Sequence, residues 1–225
     1  MFVIEKLRLA RKLRGKSKKE LSLRLNIAQK TLSEWENGKA IPKYEKIQQV
    51  ANFLEFPVDF FYTNEKFKLQ IDNISFRATS RLSALDRDQA IANLNLASLI
   101  NDWIDNNFNL PKVQLPDMSG YDPVEAAKII RKEWSLEECI NNTICLLEQH
   151  GVRVYSTMED CNDYDALSKW FGELPFVILK PTKTAERSRF DAMHELGHLV
   201  LHKHNINRDR FVEEEANKFA SEMLM

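Results

Sequence analysis

The sequence contains no run of about 18 apolar residues, so it offers no candidate for a membrane-spanning helix. Its first residues, MFVIEKLRLARKLRGK, also lack the apolar stretch and small-residue cleavage site of a secretory signal. Cysteines are few, and Cys139, Cys145 and Cys161 show no CxxC spacing, which argues against a disulfide framework or a thiolate zinc site. We therefore expect a cytoplasmic protein with reduced thiols and no membrane partner.

The length of 225 residues and the even mix of residue types favour an ordinary globular protein with two domains. Charge is distributed unevenly behind a net charge of -1. Residues 1–62 carry 13 Lys and Arg against 7 Asp and Glu, a net charge of +6, whereas the rest carries 19 against 26, a net charge of -7. This asymmetry predicts that only the first part contacts nucleic acid.

Residues 3–62 are predicted to form four short helices separated by turn signals. In the first, Leu7 and Ala10 face inward while the basic residues, Arg11 among them, face away. The second begins with a capping box formed by Ser17 and Glu20. After a tight turn at Asn26, the third covers 28–37 with Leu32 and Trp35 inward, and the fourth has a core-facing stripe of Ile47, Val50, Ala51 and Leu54.

Two helices joined by a short turn, the second with a polar outer face, are the arrangement that places one helix in the DNA major groove. The segment KSKKELSLRLNIAQKTLSEWENGKAIP resembles the phage-repressor (Xre) type of helix-turn-helix. Lys18 departs from the Gln usual in such domains, so a phosphate contact is expected there. A small protein-interaction bundle is the alternative. We expect the protein to self-associate as a homodimer on double-stranded DNA. The predicted DNA contacts come from Lys18, Gln29, Lys30, Thr31, Ser33, Glu34 and Asn37.

Residues 63–120 are interpreted as a helical connector and linker. A helix is predicted over 84–108, and the segment LPKVQLPDMSGYDP, with three of the seven prolines, is interpreted as the linker itself. Asp122 and Pro123 then mark the start of a helix, and another helix is expected over 140–147. VRVYS and PFVILK are the two clear strand candidates in the chain.

The sharpest motif is FDAMHELGHLVLH at residues 190–202, which contains His194, Glu195 and His198 in the H-E-x-x-H spacing. Residues four apart stack on one face of a helix, so both imidazoles can reach one metal ion. Glu195 lies at the edge of that face, where it can act as general base toward the attacking water. Zinc (Zn²⁺) is the predicted cofactor.

A zinc hydrolase needs a third protein ligand. The segment VEEEANKFASEMLM has the apolar spacing of a buried amphipathic helix, with Glu213 and Glu215 on opposite edges of its stripe. We prefer Glu213, because its edge continues with Asn217, a partner for a ligand histidine, whereas the edge of Glu215 continues into a solvated charged face. Glu215, His202 and His204 stay open as alternatives, although His202 is two turns from His194.

The C-terminal half resembles the ImmA/IrrE family of metallopeptidases over roughly residues 74–225, through ISFRATSRLS, ICLLEQHGVRVY and two further motifs. R-x-x-F-x-x-x-H-E-x-G-H begins at Arg187, and E-x-x-A-N-x-F-A begins at Glu213. The resemblance implies a gluzincin-like fold with two zinc-bearing helices and a small sheet. It also implies that the chain continues past Met225 in the family, so we expect a C-terminal truncation that leaves little cleavage of generic substrates.

The expected fold class is mainly α, of the α+β kind. We divide the chain into a helix-turn-helix DNA-binding domain at 1–62, the connector at 63–120, and a zinc metallopeptidase-like domain at 121–225 with a small β-sheet and the H-E-x-x-H helix. The predicted function is that of a DNA-binding regulator and zinc-dependent endopeptidase that cleaves a protein such as a repressor. The alternatives are a regulator whose metal site is structural or sensory, and a DNA-binding antitoxin with an inert peptidase relic.

Overall fold

The structure, a computed structural model, describes residues 2–62, 83–156, 165–203 and 210–225. It contains two compact units: the first holds the described residues up to 96, and the second holds those from 97 onward. None of the helices in these ranges is both long and apolar enough to cross a membrane. Cys139 and Cys145 are exposed free thiols, and Cys161 lies outside the described residues.

The first unit contains α1 (Ile4–Leu13), α2 (Lys18–Arg24), α3 (Gln29–Glu36) and α4 (Tyr44–Leu54), followed by a 3-10 turn at Val58–Phe61. The predicted capping box is confirmed, because the Ser17 hydroxyl accepts from the Glu20 amide at 3.1 Å and the Glu20 carboxylate accepts from the Ser17 amide at 2.8 Å. The predicted turn at Asn26 has a positive φ of 51°. The core side chains are Leu7, Ala10, Leu21, Leu25, Leu32, Trp35, Ile47, Val50, Ala51, Leu54 and Phe61.

A buried ion pair joins α1 to α3, and it corrects the expectation that Arg11 faces away from the core. The Arg11 guanidinium donates two hydrogen bonds to the Glu36 carboxylate, at 2.6 and 3.1 Å, and the two side chains are only 5% and 1% exposed. A third bond, from Nη1 to the Lys16 carbonyl, measures 2.7 Å. Helical periodicity predicts a solvated Arg11, because periodicity within one helix cannot indicate a charged partner on another helix.

The second unit combines helices with a three-stranded sheet. Its elements after α5 (Ala84–Asn107), which crosses the boundary between the units, are α6 (Pro123–Glu133), α7 (Thr143–Gln149), β1 (Arg153–Ser156), β2 (Ala166–Phe171), β3 (Leu174–Leu179), α8 (Ala185–Leu201) and α9 (Arg210–Leu224). The strand order is β1-β3-β2, with β1 parallel and β2 antiparallel to β3. The main core of this unit is built from α6, α7, α8, α9 and the inner face of the sheet.

Two expectations about this unit need correction. The strand β2, with the sequence ALSKWF, was not predicted because Ser168 and Lys169 interrupt its apolar character, as an edge strand permits. The helix expected over 140–147 instead spans Thr143–Gln149, because the Asn142 side chain accepts a hydrogen bond from the Cys145 amide and caps it there.

The proline-rich segment that we interpreted as a linker is part of the second unit and packs within it. The Met118 amide donates to the Val200 carbonyl at 2.8 Å, and the Gln114 amide donates to the His150 carbonyl at 3.0 Å. Gly151 has a φ of +84°, and a Cβ atom there would lie 2.5 Å from the Lys112 carbonyl oxygen, so only glycine fits. The predicted domain limits at residues 62 and 120 remain predictions, but residues 112–118 are anchored rather than free.

Candidate metal centre and DNA-reading helix

The H-E-x-x-H motif lies within α8. The helix begins after Thr184, whose hydroxyl accepts a hydrogen bond from the Arg187 amide. His194 and His198 are one turn apart, and their Nε2 atoms are 3.0 Å from each other. His198 is almost fully buried, with its side chain 3% exposed, and His194 is 15% exposed. Both imidazoles therefore point the same ring nitrogen toward one place beside the helix.

The helix α9 supplies a carboxylate to this place. Glu213 has one oxygen 3.3 Å from His194 Nε2 and the other 3.4 Å from His198 Nε2. Burial raises the pKa of Glu213, but hydrogen bonds and charge interactions with the two histidines outweigh this and hold the pKa well below its ordinary value. Glu213 therefore faces the imidazoles as an anion.

Close contact between α8 and α9 brings these groups together. A Cβ atom on Gly197 would lie 3.1 Å from the Phe219 ring and 3.3 Å from the Ala216 Cα atom. Ala216 and Phe219 belong to the predicted buried stripe of α9, which is confirmed together with Val212, Ala220 and Met223. The missing side chain at Gly197 thus allows α9 to approach α8 closely enough for Glu213 to reach the histidines.

The three groups fit zinc better than a larger cation. Their ligand atoms all lie within 4.8 Å of one another, and in the part of the chain that the structure describes they are the one group of this kind. The separations of 3.0, 3.3 and 3.4 Å are close to the edge of about 3.3 Å that a zinc tetrahedron with bonds of about 2.05 Å requires. Two imidazole nitrogens and one carboxylate are also a common ligand set of catalytic zinc.

The Nδ1 atoms of both histidines have partners of their own. His194 Nδ1 lies 3.0 Å from Asn217 Oδ1, so Asn217 stands where we expected a partner for a ligand histidine. His198 Nδ1 lies 3.2 Å from His202 Nδ1, and His202 Nε2 lies 3.0 Å from Glu215 Oε2. The alternative ligands His202 and Glu215 therefore contact each other instead of joining the three convergent groups.

Two of the alternative metal ligands are His204 and Glu215. His204, the last of the alternative ligands, lies outside the described residues. The expected solvated position of Glu215 is wrong, because His202 at the end of α8 covers that edge of α9 and leaves the Glu215 side chain only 22% exposed.

Glu195, the predicted general base, is 3% exposed. Its Oε2 atom accepts a hydrogen bond from the Ser168 hydroxyl on β2. We did not predict Ser168 from the sequence, because its strand was not recognised and a lone serine carries no motif. The edge strand thus reaches Glu195 of the motif through the Ser168 hydroxyl.

Six of the seven predicted DNA-contacting residues lie on or next to α3. Gln29, Lys30 and Asn37 are exposed, whereas Thr31, Ser33 and Glu34 are half-buried. Lys30 and Glu34 form a loose pair at 4.0 Å along the helix.

Lys18, at the start of α2, has two partners within the protein. Its ammonium lies 3.5 Å from the Glu36 carboxylate and 3.4 Å from the Ser33 hydroxyl, between α2 and α3. The side chain is still 34% exposed, so the phosphate contact stays a prediction.

Comparison with known proteins finds two family matches, one in each half of the chain. Residues 7–61 match the family described as helix-turn-helix, and residues 147–225 match the family described as IrrE N-terminal-like domain. The comparisons with curated proteins and with solved structures gave no match. The resemblance that we noted from residue 74 is thus supported from residue 147, and most of ISFRATSRLS lies outside the described residues.

The class of protein follows from these matches and the site geometry: a DNA-binding module joined to a metallopeptidase-like module. More specifically, residues 7–61 are similar to Xre-type helix-turn-helix domains and residues 147–225 to ImmA/IrrE-type domains, and the second region contains a His-His-Glu cluster.

Proposed function

We propose that this protein is a DNA-binding transcriptional regulator whose C-terminal domain is a zinc-dependent endopeptidase. Its substrate is a partner protein, such as a repressor, in a mobile-element or stress-response circuit. The observation that carries the proposal is the convergence of His194, His198 and Glu213 at separations that suit tetrahedral zinc.

The residues around the cluster have distinct roles in this proposal. His194, His198 and Glu213 would hold the ion, which would supply Lewis-acid chemistry toward a peptide carbonyl. Glu195 accepts a proton from the attacking water and then donates it to the leaving amine. The Ser168 hydroxyl bonds one oxygen of the Glu195 carboxylate and so limits its rotation.

The N-terminal domain recognises the DNA site in this proposal. In this proposal α3 lies in the major groove, where Gln29 can pair with adenine and Lys30 with guanine or a phosphate. Asn37, exposed at the end of α3, would contact the DNA backbone in this proposal. The net charge of +6 on residues 1–62 favours this contact.

A regulator with a structural or sensory metal site is the second candidate. The specific observation in its favour is the burial of Glu195, which is 3% exposed and bonded to Ser168, whereas a general base must reach water. In that case the ion would control the fold or DNA affinity, and no peptide would be cut.

The conservative substitution Glu195→Gln separates the two candidates. The purified variant should contain as much zinc as the wild type and bind DNA equally, because only the base is removed. We would incubate both proteins with the protein encoded beside this one and follow cleavage by mass spectrometry. Glu214→Gln, an equivalent change at an exposed position, is the control.

The endopeptidase proposal requires that cleavage occurs in the wild type and in Glu214→Gln but not in Glu195→Gln. Regulation in cells that survives Glu195→Gln but is lost in His198→Ala would instead support the sensory candidate.

A further inference from the structure

A chain of hydrogen bonds leads away from the candidate metal site on the side opposite Glu213. His198 Nδ1 lies 3.2 Å from His202 Nδ1, and His202 Nε2 lies 3.0 Å from Glu215 Oε2. All three side chains are largely buried, with exposures of 3%, 9% and 22%. These hydrogen bonds link the end of α8 to α9. We call the two residues farther from Glu213 the His202–Glu215 pair.

These contacts are consistent with one set of proton positions. If His198 binds the ion through Nε2, the atom that faces Glu213, then its Nδ1 carries the hydrogen. His202 Nδ1 must then accept that hydrogen, so the proton of the neutral His202 ring resides on Nε2. His202 Nε2 therefore donates to the Glu215 carboxylate, which can only accept. Each ring nitrogen and carboxylate oxygen in this series of hydrogen bonds is thus either a donor or an acceptor.

The geometry also separates the His202–Glu215 pair from the ligands. His202 approaches His198 from the Nδ1 side, whereas Glu213 approaches from the Nε2 side. Glu215 directs its carboxylate oxygen to His202. Among the described residues, the cluster of convergent ligand atoms contains neither member of the pair.

We infer that the His202–Glu215 pair positions His198 as a metal ligand by fixing its tautomer and ring orientation. This inference rests on the proposed function, since it requires a metal on His198 Nε2. Groups that hold a ligand histidine in this way commonly contribute a factor of about 10 to 100 in metal affinity. Asn217 holds His194, so each ligand histidine has its own acceptor.

The first experiment measures zinc affinity of the full chain by competition with a chromophoric chelator. His202→Leu removes the acceptor and should weaken zinc binding about 10- to 100-fold. His202→Asn should restore most of the affinity, because its Oδ1 atom occupies nearly the place of the imidazole Nδ1. A merely structural role for His202 would not produce this rescue by a smaller side chain.

Glu215 has a matched control one residue away on the same helix. Glu215→Ala should weaken zinc binding, whereas Glu214→Ala should not, because Glu214 is 51% exposed and pairs with Arg210. Alanine favours helix, so both variants should retain α9.

The second experiment reads the tautomers directly from nitrogen chemical shifts of imidazole-labelled protein loaded with zinc. We expect the hydrogen on Nδ1 of His198 and on Nε2 of His202, with the His202 preference lost in Glu215→Ala.

The outcomes distinguish this inference from the proposed function. Failure of the wild type to bind zinc would overturn both. Zinc binding by the wild type with unchanged affinity in His202→Leu, or with the hydrogen on Nδ1 of His202, would overturn the positioning role alone.

Discussion

The buried ion pair between Arg11 and Glu36 allows a quantitative prediction about the DNA-binding unit. Glu36→Gln preserves the size of the side chain but leaves the Arg11 guanidinium, 5% exposed, without its anion. Removing one partner of a buried pair costs about 3 to 5 kcal/mol of unfolding free energy. Arg11 keeps its bond to the Lys16 carbonyl, so we expect a value near the lower end, about 3 kcal/mol.

This loss is large enough to measure without ambiguity. With a denaturant slope of about 1 kcal/mol per molar urea for so small a unit, the midpoint should fall by about 3 M. Trp35 reports on this unit, since the other three tryptophans lie beyond residue 96. Urea unfolding of fluorotryptophan-labelled protein, followed by fluorine NMR, would resolve its signal.

Two controls test the reasoning. Glu34→Gln, the same change on the same helix, breaks only a loose pair at 4.0 Å whose Lys30 side chain is 87% exposed, and it should cost less than about 0.5 kcal/mol. The double substitution Arg11→Met with Glu36→Leu removes both buried charges together. It leaves only Lys18, whose side chain is 34% exposed, without the Glu36 carboxylate, so it should cost far less than Glu36→Gln alone. Equal losses for Glu36→Gln and Glu34→Gln would refute our account of the pair.

Three further predictions concern DNA, metal and pH. Gln29→Ala should cost about 1 to 3 kcal/mol of discrimination at one base pair. Lys30→Ala, if Lys30 contacts a phosphate, should weaken binding to all sequences and reduce the slope of log affinity against log salt concentration by about 1. Binding arrays at several salt concentrations would test both. Glu213→Ala should abolish stoichiometric zinc in elemental analysis, and full retention would exclude Glu213 as a ligand. Burial raises the pKa of Tyr155 to about 12. The stability that the protonated Tyr155 contributes should therefore be complete below pH 10 and lost between pH 10 and 12. Tyr155→Phe should remove this pH dependence of the melting temperature.

Much of the candidate site was predictable because helical geometry is local. A period of about 100° per residue is enough to stack His194 on His198 and to put Glu213 and Asn217 on one edge of α9. The structure brings His194, His198 and Glu213 together and sets Asn217 against the other ring nitrogen of His194.

The remaining features depend on contacts between elements far apart in sequence. Arg11 looks like a surface residue until Glu36 is placed against it from another helix. Glu215 looks solvated until His202 covers it, and Ser168 has no visible role until β2 reaches the H-E-x-x-H helix. Periodicity identifies which face of an element is apolar, but it does not identify which polar partner that face meets.

Gly197, between Glu195 and His198, has a consequence for how narrowly the site tolerates change. It contributes no donor atom, and yet a methyl group there would lie 3.1 Å from the Phe219 ring and force a neighbour to move by a few tenths of an ångström. Metal sites allow deviations of only about 0.2 Å in their bond lengths. Gly197 therefore sets the distance between α8 and α9, and a larger residue here should distort the candidate metal site although His194, His198 and Glu213 are unchanged.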